Sequence, residues 1–236
     1  MSTDQSNLIS EEAFLARMNN YTAPDPSPRN PQISTQSSHA DRIEANYQAD
    51  GHKTWGFVIY RTTYDHDTDW TEFMRRLRAW TAENMDFYHG DDVLQRMTWT
   101  VFDDRAQFDG VDAAAVRRHF RTWVEEAVGS AQADASDATP IDAASLKSAV
   151  NDAPAPPAYD QERQGWVKVI DKNWVPNTRP ESNTYAPVEG STEHDVGWMK
   201  CPFPSVMTEY YMLFNDLNGY RTAYRRPPAV VGYPWN

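Results

Sequence analysis

The run Thr54-Trp55-Gly56-Phe57-Val58-Ile59-Tyr60 constrains the chain most. Successive strand side chains point to opposite faces, so a β-rich segment without polar alternation needs cover on both sides. The next segments supply that cover. After a turn-like Tyr64-Asp65-His66-Asp67, the residues Trp70, Phe73, Met74, Leu77 and Trp80 recur at helical spacing, with Asp67 or Thr68 available as cap. A second strand is expected over Met97–Phe102, ended by Asp103-Asp104-Arg105. Asp112 then caps a helix with the stripe Ala113, Val116, Phe120, Trp123, Val124 and Ala127. Strand, helix, strand, helix is the order of an α/β layer.

Further along, Trp166–Ile170 and Val196–Lys200 read as strands. Ser205 reads as the cap of a third helix carrying Val206, Met207, Tyr210, Tyr211, Phe214 and Leu217, stopped at Asn218-Gly219. Tyr220–Arg226 reads as a last strand before Pro227-Pro228. The expectation is one α/β domain over residues 51–236. It has a mixed β-sheet of four to six strands with helices packed against it, in Rossmann-like layering. Residues 129–161, rich in Ala, Asp and Pro, read as a mobile insertion with one short helix or strand near Ala143–Val150. Residues 1–50 read as a disordered N-terminal tail: Thr22–His39 holds too little apolar matter to offset its ordering entropy, and only Glu11–Met18 suits a short amphipathic helix.

Composition narrows the function. With 22 Lys+Arg against 34 Asp+Glu, the net charge of −12 disfavours a general DNA or RNA coat and leaves a cationic substrate open. No apolar run reaches the roughly 20 residues of a membrane span. A single cysteine, Cys201, and an N-terminus without an apolar signal core point to a reducing compartment, the cytoplasm. The six histidines lack zinc spacing, and there is neither a Gly-rich phosphate loop nor a G-x-S-x-G elbow, so no cofactor or metal is expected.

In a layered sheet, ligands sit outside the carboxyl ends of the parallel strands. The first strand delivers Arg61, Thr62, Thr63, Tyr64 and Asp65 there, and the second delivers Asp103, Asp104, Arg105 and Gln107. Such an acidic rim beside two threonines suits a divalent metal, a guanidinium or ammonium group, or acid–base work. Equally, an Asp pair after a strand serves as a turn cap facing water. The clusters Arg75/Arg76/Arg78, Arg117/Arg118/Arg121 and Arg221/Arg225/Arg226 read as wet helix faces paired with Glu, or, if gathered, as a strip for a phosphate backbone. Trp198 and Tyr224 are candidates to line a pocket.

Several stretches carry a resemblance: Trp55–Tyr64, Thr100-Val101-Phe102-Asp103-Asp104-Arg105 leading into Phe108-Asp109-Gly110, Asp195–Lys200, Tyr210-Tyr211 and Tyr224-Arg225-Arg226-Pro227-Pro228. Over residues 53–236 the chain resembles a widespread group of ascomycete proteins. Within that group it resembles the fungal arginine-containing cyclodipeptide synthases, which draw aminoacyl groups from charged tRNAs and close arginine-bearing diketopiperazines. Their acidic D-D-x-x-E motif is matched by Asp103-Asp104-Arg105-Ala106-Gln107, with Gln107 in place of Glu. The resemblance implies Asp103, Asp104 and Gln107 as catalytic. Arg61, Thr62, Thr63, Tyr64, Asp65, Trp198 and Glu209 then bind substrate, and Arg75, Arg76, Arg117, Arg118 and Arg121 meet aminoacyl-tRNAs. The alternatives are a non-catalytic fungal interaction protein and a metal-dependent enzyme on a cationic or phosphorylated metabolite.

Overall fold

The computed structural model describes residues 29, 38–49, 54–127, 137–177, 185–215 and 218–232. Its centre is a five-stranded mixed sheet of order β2-β1-β3-β4-β5, formed by β1 (Val58–Arg61), β2 (Val101–Phe102), β3 (Asp137–Ile141), β4 (Trp166–Asp171) and β5 (Trp198–Pro202). β1 is parallel to both neighbours, with Ile59 facing Val101 on one side and Thr139 on the other. β4 and β5 join as antiparallel strands.

All four residues of β1 are buried. Phe57 and Ile59 enter one core with α2 (Asp67–Phe87), through Trp70, Phe73, Leu77 and Trp80. Val58 and Tyr60 enter a second core with α5 (Ala113–Ala127), through Val116 and Phe120. The α/β reading therefore holds, and the two crossover helices lie on opposite faces. The cap at Asp112 forms as expected, its Oδ1 accepting the Ala115 N–H at 2.7 Å. The remaining short helices are α1 (His39–Ala49), α3 (Asp91–Leu94), α4 (Arg105–Phe108), α6 (Ala143–Lys147), α7 (Tyr211–Phe214) and α8 (Gly219–Ala223).

Four expectations are corrected. Residues 39–49, placed in the tail, form α1, whose Ala40 and Ile43 are fully buried in the first core; Glu11–Met18 and, Arg29 apart, Thr22–Ser37 lie outside the described residues. The stretch taken for an insertion supplies β3, the middle strand of the sheet. Its backbone pairs with β1 over four positions even though Asp137-Ala138-Thr139-Pro140 carries a weak strand signal. Ser205 caps no helix: it closes a 3₁₀ turn (Phe203–Ser205), and a π turn over Val206–Tyr210 leads into α7. Tyr220–Arg226 is not a strand. Gly219–Ala223 is helical, with the Tyr220 and Tyr224 rings 6.0 Å apart at i,i+4 spacing. Among the described residues, no helix is long and apolar enough to cross a membrane.

Candidate functional site

The parallel trio creates a switch point. From β1 the chain crosses one face to β2, then crosses the other face and arrives at β3 on the far side of β1. The crevice outside the carboxyl ends of β1 and β3 is where such sheets receive ligands. A hollow of about 340 Å³ lies there, lined from the β1 side by Thr63, Asp65, His66 and Asp69 and from the β3 side by Ala143, Leu146, Lys147 and Asn151. Asp65 and His66 are exposed at its mouth. Leu146 is buried and gives it an apolar wall.

Arg61 organises the rim. Its guanidinium is buried, donates to the Thr63 carbonyl at 3.1 Å, and pairs with Asp67 and, at 3.5 Å, with Asp103. It also stacks over Tyr64 (4.4 Å) and Trp70 (5.1 Å). The loops after β1 and β2, which leave the same edge because these strands are parallel neighbours, are thus joined through one cation. Burial first, and then the Asp103 charge, push the Tyr64 hydroxyl up to about 12, so it stays protonated at neutral pH. Thr62 is committed to the fold: its N–H donates to the Ile141 carbonyl at 3.0 Å, and its own carbonyl accepts the Gly110 N–H at 3.1 Å.

Behind the hollow, Asp142 is the N-cap of α6, accepting the Ser145 N–H at 2.8 Å, and pairs with Lys168 at 2.9 Å. Burial alone would raise the Asp142 pKa. The neighbouring Lys168 charge outweighs it, and the carboxyl sits below the ordinary carboxylate value. The β3 end is thereby fixed against β4.

The adjacent aspartates have different tasks. Asp104 is the N-cap of α4: its Oδ1 accepts the Ala106 N–H at 2.9 Å and the Gln107 N–H at 3.3 Å. For this residue the turn-cap alternative is what the geometry realises. Replacing Asp104 with alanine should cost about 1 kcal/mol in urea denaturation, the usual worth of an N-cap. An unchanged midpoint would refute that role. Asp103 stays with Arg61, and Gln107 is exposed on α4.

Other sequence-assigned residues do not assemble here. β5 and β2 are at opposite ends of the sheet, four strand spacings or roughly 19 Å apart. Trp198 therefore packs in the second core, with the Lys168 ammonium 4.4 Å from its ring, away from Asp103. Glu209 sits in the π turn with its carboxylate 3.4 Å from the Tyr88 hydroxyl, and burial raises its pKa. The arginines form no common strip, because α2 and α5 lie on opposite faces. Arg75 and Arg76 both bind Glu72, and Arg76 also donates to the Ala149 and Ala153 carbonyls. Arg117 is buried, donating to the Asp171 carbonyl at 3.0 Å and the Gly197 carbonyl at 2.6 Å. Arg121 holds the Lys172 and Trp174 carbonyls. Arg118 alone of the α5 trio faces solvent. Arg226 likewise holds the carbonyls of Ala186, Ser191 and Glu193.

What sequence reasoning missed is the β3 half of the hollow, Lys147 and Asn151, together with His66 and Asp69 on the β1 side. Recognising β3 would have exposed the former, since its Asp142 cap is a helix-start signal. Among the described residues, no three His, Cys, Asp or Glu side chains gather as a metal site would need.

Comparison with protein-family models, curated proteins and solved structures returns no match.

Proposed function

We propose that the chain is a tRNA-dependent cyclodipeptide synthase whose arginyl substrate enters the hollow between β1 and β3. The observation that carries the reading is the acidic lining at the switch point, Asp65 and Asp69 beside Thr63, next to the Arg61–Asp103 pair. A guanidinium group is planar and permanently charged, and carboxylates in fork geometry recognise it over other cations. The resemblance to the fungal synthases supplies the reaction class.

In that reaction the α-amine of one aminoacyl ester attacks the carbonyl of the other, and the amine left on the new dipeptidyl ester then closes the ring. Two ester bonds break, two amide bonds form, and two tRNA hydroxyls leave. Esters of this kind are already activated, so the protein's task is to hold two of them together and to move protons. Asp103, with its side chain 41% exposed, is the acceptor for the amine proton and returns it to the departing ribose oxygen. Arg61 fixes its position, and Asp104 shapes the loop that presents it. Asp65 and Asp69 take the guanidinium. Arg105 and Lys147, both well exposed at this edge, are the cations nearest the acceptor end.

Production of the protein in a bacterial host, followed by mass spectrometry of the medium, is expected to reveal new arginine-containing diketopiperazines. Asp103→Asn should abolish them, and the Asp65→Asn/Asp69→Asn pair should shift the products away from arginine, with the fold intact by circular dichroism. Absence of any such product from the folded, soluble chain would overturn the synthase reading. The capping role of Asp104 favours the rival, a non-catalytic binding protein; it predicts arginine binding to the hollow without turnover.

A further inference from the structure

The two walls of the hollow carry opposite charge and do not touch. Asp65 and Asp69 line the β1 wall, four residues apart where the chain enters α2. Lys147 and Asn151 line the β3 wall at the same separation, where α6 runs without a break into a π turn over Ser148–Asp152. Among the described residues, the carboxylates of Asp65 and Asp69 accept no hydrogen bond and join no ion pair, and the Asn151 amide has no partner. No ion pair crosses from one wall to the other, although an ammonium and two carboxylates border one space.

Elsewhere the chain spends its charges on itself: Asp142 meets Lys168, and Asp103 meets Arg61. Lys147 is held only by Asp152, at 2.6 and 2.8 Å, and the two side chains are 65% and 44% exposed. A pair so open to water is worth under about 1 kcal/mol. It also occupies two of the three ammonium donors, and the third, with the Asn151 amide, is left for an acceptor from outside. Between the walls Leu146 offers buried apolar surface, along which aliphatic stems can lie. The volume of about 340 Å³ is that of a small-molecule site. Such a space suits a ligand cationic at one end, anionic at the other and apolar between. An apolar second end would cover the Lys147 and Asn151 donors without giving them an acceptor, which is costly.

We propose that the hollow reads both side chains of the product: arginine against Asp65 and Asp69, and an acidic residue, glutamate or aspartate, against Lys147 and Asn151. Lys147 is then a specificity-determining residue for the second amino acid, reaching the aminoacyl group that the acceptor end carries. The inference rests on the synthase reading for its reaction. The two side chains take no part in bond making, so their recognition is measurable without turnover.

Two measurements on the full-length chain test it. In calorimetry at matched ionic strength, cyclo(L-Arg-L-Glu) is expected to bind saturably. Cyclo(L-Arg-L-Leu) and cyclo(L-Leu-L-Glu), each missing one charged end, should bind at least tenfold more weakly. Lys147→Glu should weaken cyclo(L-Arg-L-Glu) at least tenfold while changing cyclo(L-Arg-L-Leu) less than threefold, and the milder Lys147→Gln should fall between. Equal binding of the Glu and Leu compounds by the wild type, or no saturable heat with any of the three, would overturn the proposal. In the bacterial host, arginine–glutamate or arginine–aspartate diketopiperazines should exceed arginine–leucine and arginine–phenylalanine at least tenfold, and Lys147→Glu should reverse that order. Arginine products with apolar partners, unaltered by Lys147→Glu, would refute the second-residue assignment and leave the synthase reading standing. Should no diketopiperazine form at all, the synthase reading falls, and the calorimetry alone decides whether the hollow reads both ends.

Discussion

Replacing Arg117 with methionine is expected to lower the unfolding free energy by about 3 kcal/mol, although the residue lies on a helix where its charge reads as a wet face. Methionine keeps the apolar stem, but it removes the guanidinium's bonds to the Asp171 and Gly197 carbonyls, which are left with only the backbone N–H groups of Trp174 and Asp171, and it removes the cation 4.7 Å from the Trp174 ring. The cost of burying the guanidinium, which lowers its pKa, is recovered in the same step and limits the loss. Gly197→Ala attacks the same contact from the other side. At φ 77° an added Cβ is strained, and it would meet the Arg117 guanidinium and, at 2.5 Å, the Trp174 ring. A loss of about 3 kcal/mol is expected here too. Because both changes break one arrangement, the double variant should lose clearly less than the sum in urea denaturation. Full additivity would show that Arg117 and Gly197 do not act together.

The second large effect is a pH dependence. Burial, and then the Arg42 charge, lower the His39 pKa to about 4. Its imidazole lies 4.2 Å from the Tyr88 ring at the start of α1. A histidine depressed in the folded state contributes stability above its unfolded pKa, and the contribution is lost as pH falls. The window here runs from about 6.5 down to 4, and the loss is roughly 3 kcal/mol. Asp92 and Asp142, whose pKa values are lowered by Arg29 and Lys168, lose their contributions at lower pH. Glu209 opposes the trend: with its pKa raised by burial, it destabilises as pH rises through its folded value. Guanidinium-chloride titrations of the wild type and His39→Phe between pH 7 and 4 separate these terms. The variant should lack the upper part of the slope, and an identical slope would remove His39 as its cause.

Which parts of this molecule were legible in the sequence depends on where its energies come from. α2 and α5 were readable because their burial is periodic and strong: Phe73, Leu77 and Trp80 leave no other face to bury. β1 was readable for the same reason on both faces. β3 was not. Thr139 and Pro140 occupy a buried strand because β1 pairs with it over four positions and β4 holds it through Asp137 and Ala138, a tertiary demand that composition does not record. The π turn after β5 is equally silent, since Ser205 before an apolar stripe signals an ordinary cap. At the candidate site, Arg61 and Asp103 were singled out from their places at strand ends, Arg61 closing β1 and Asp103 following β2. The division of labour between Asp103 and Asp104 appeared only once the Ala106 and Gln107 N–H groups were seen to occupy one of the two. The arginine clusters misled because charge is read as exposure, whereas a long guanidinium can thread a core to reach carbonyls.

The late arrival of the sheet's middle strand bears on biosynthesis. As the polypeptide leaves the ribosome, Val58-Ile59-Tyr60 has only the two-residue β2 to pair with, and its other edge stays bare until Ile141 has emerged. An apolar strand with an open edge is a template for wrong partners. Nascent chains halted between α5 and β3 should therefore be the species that holdase chaperones retain, and lengthening the stall beyond Ile141 should release them.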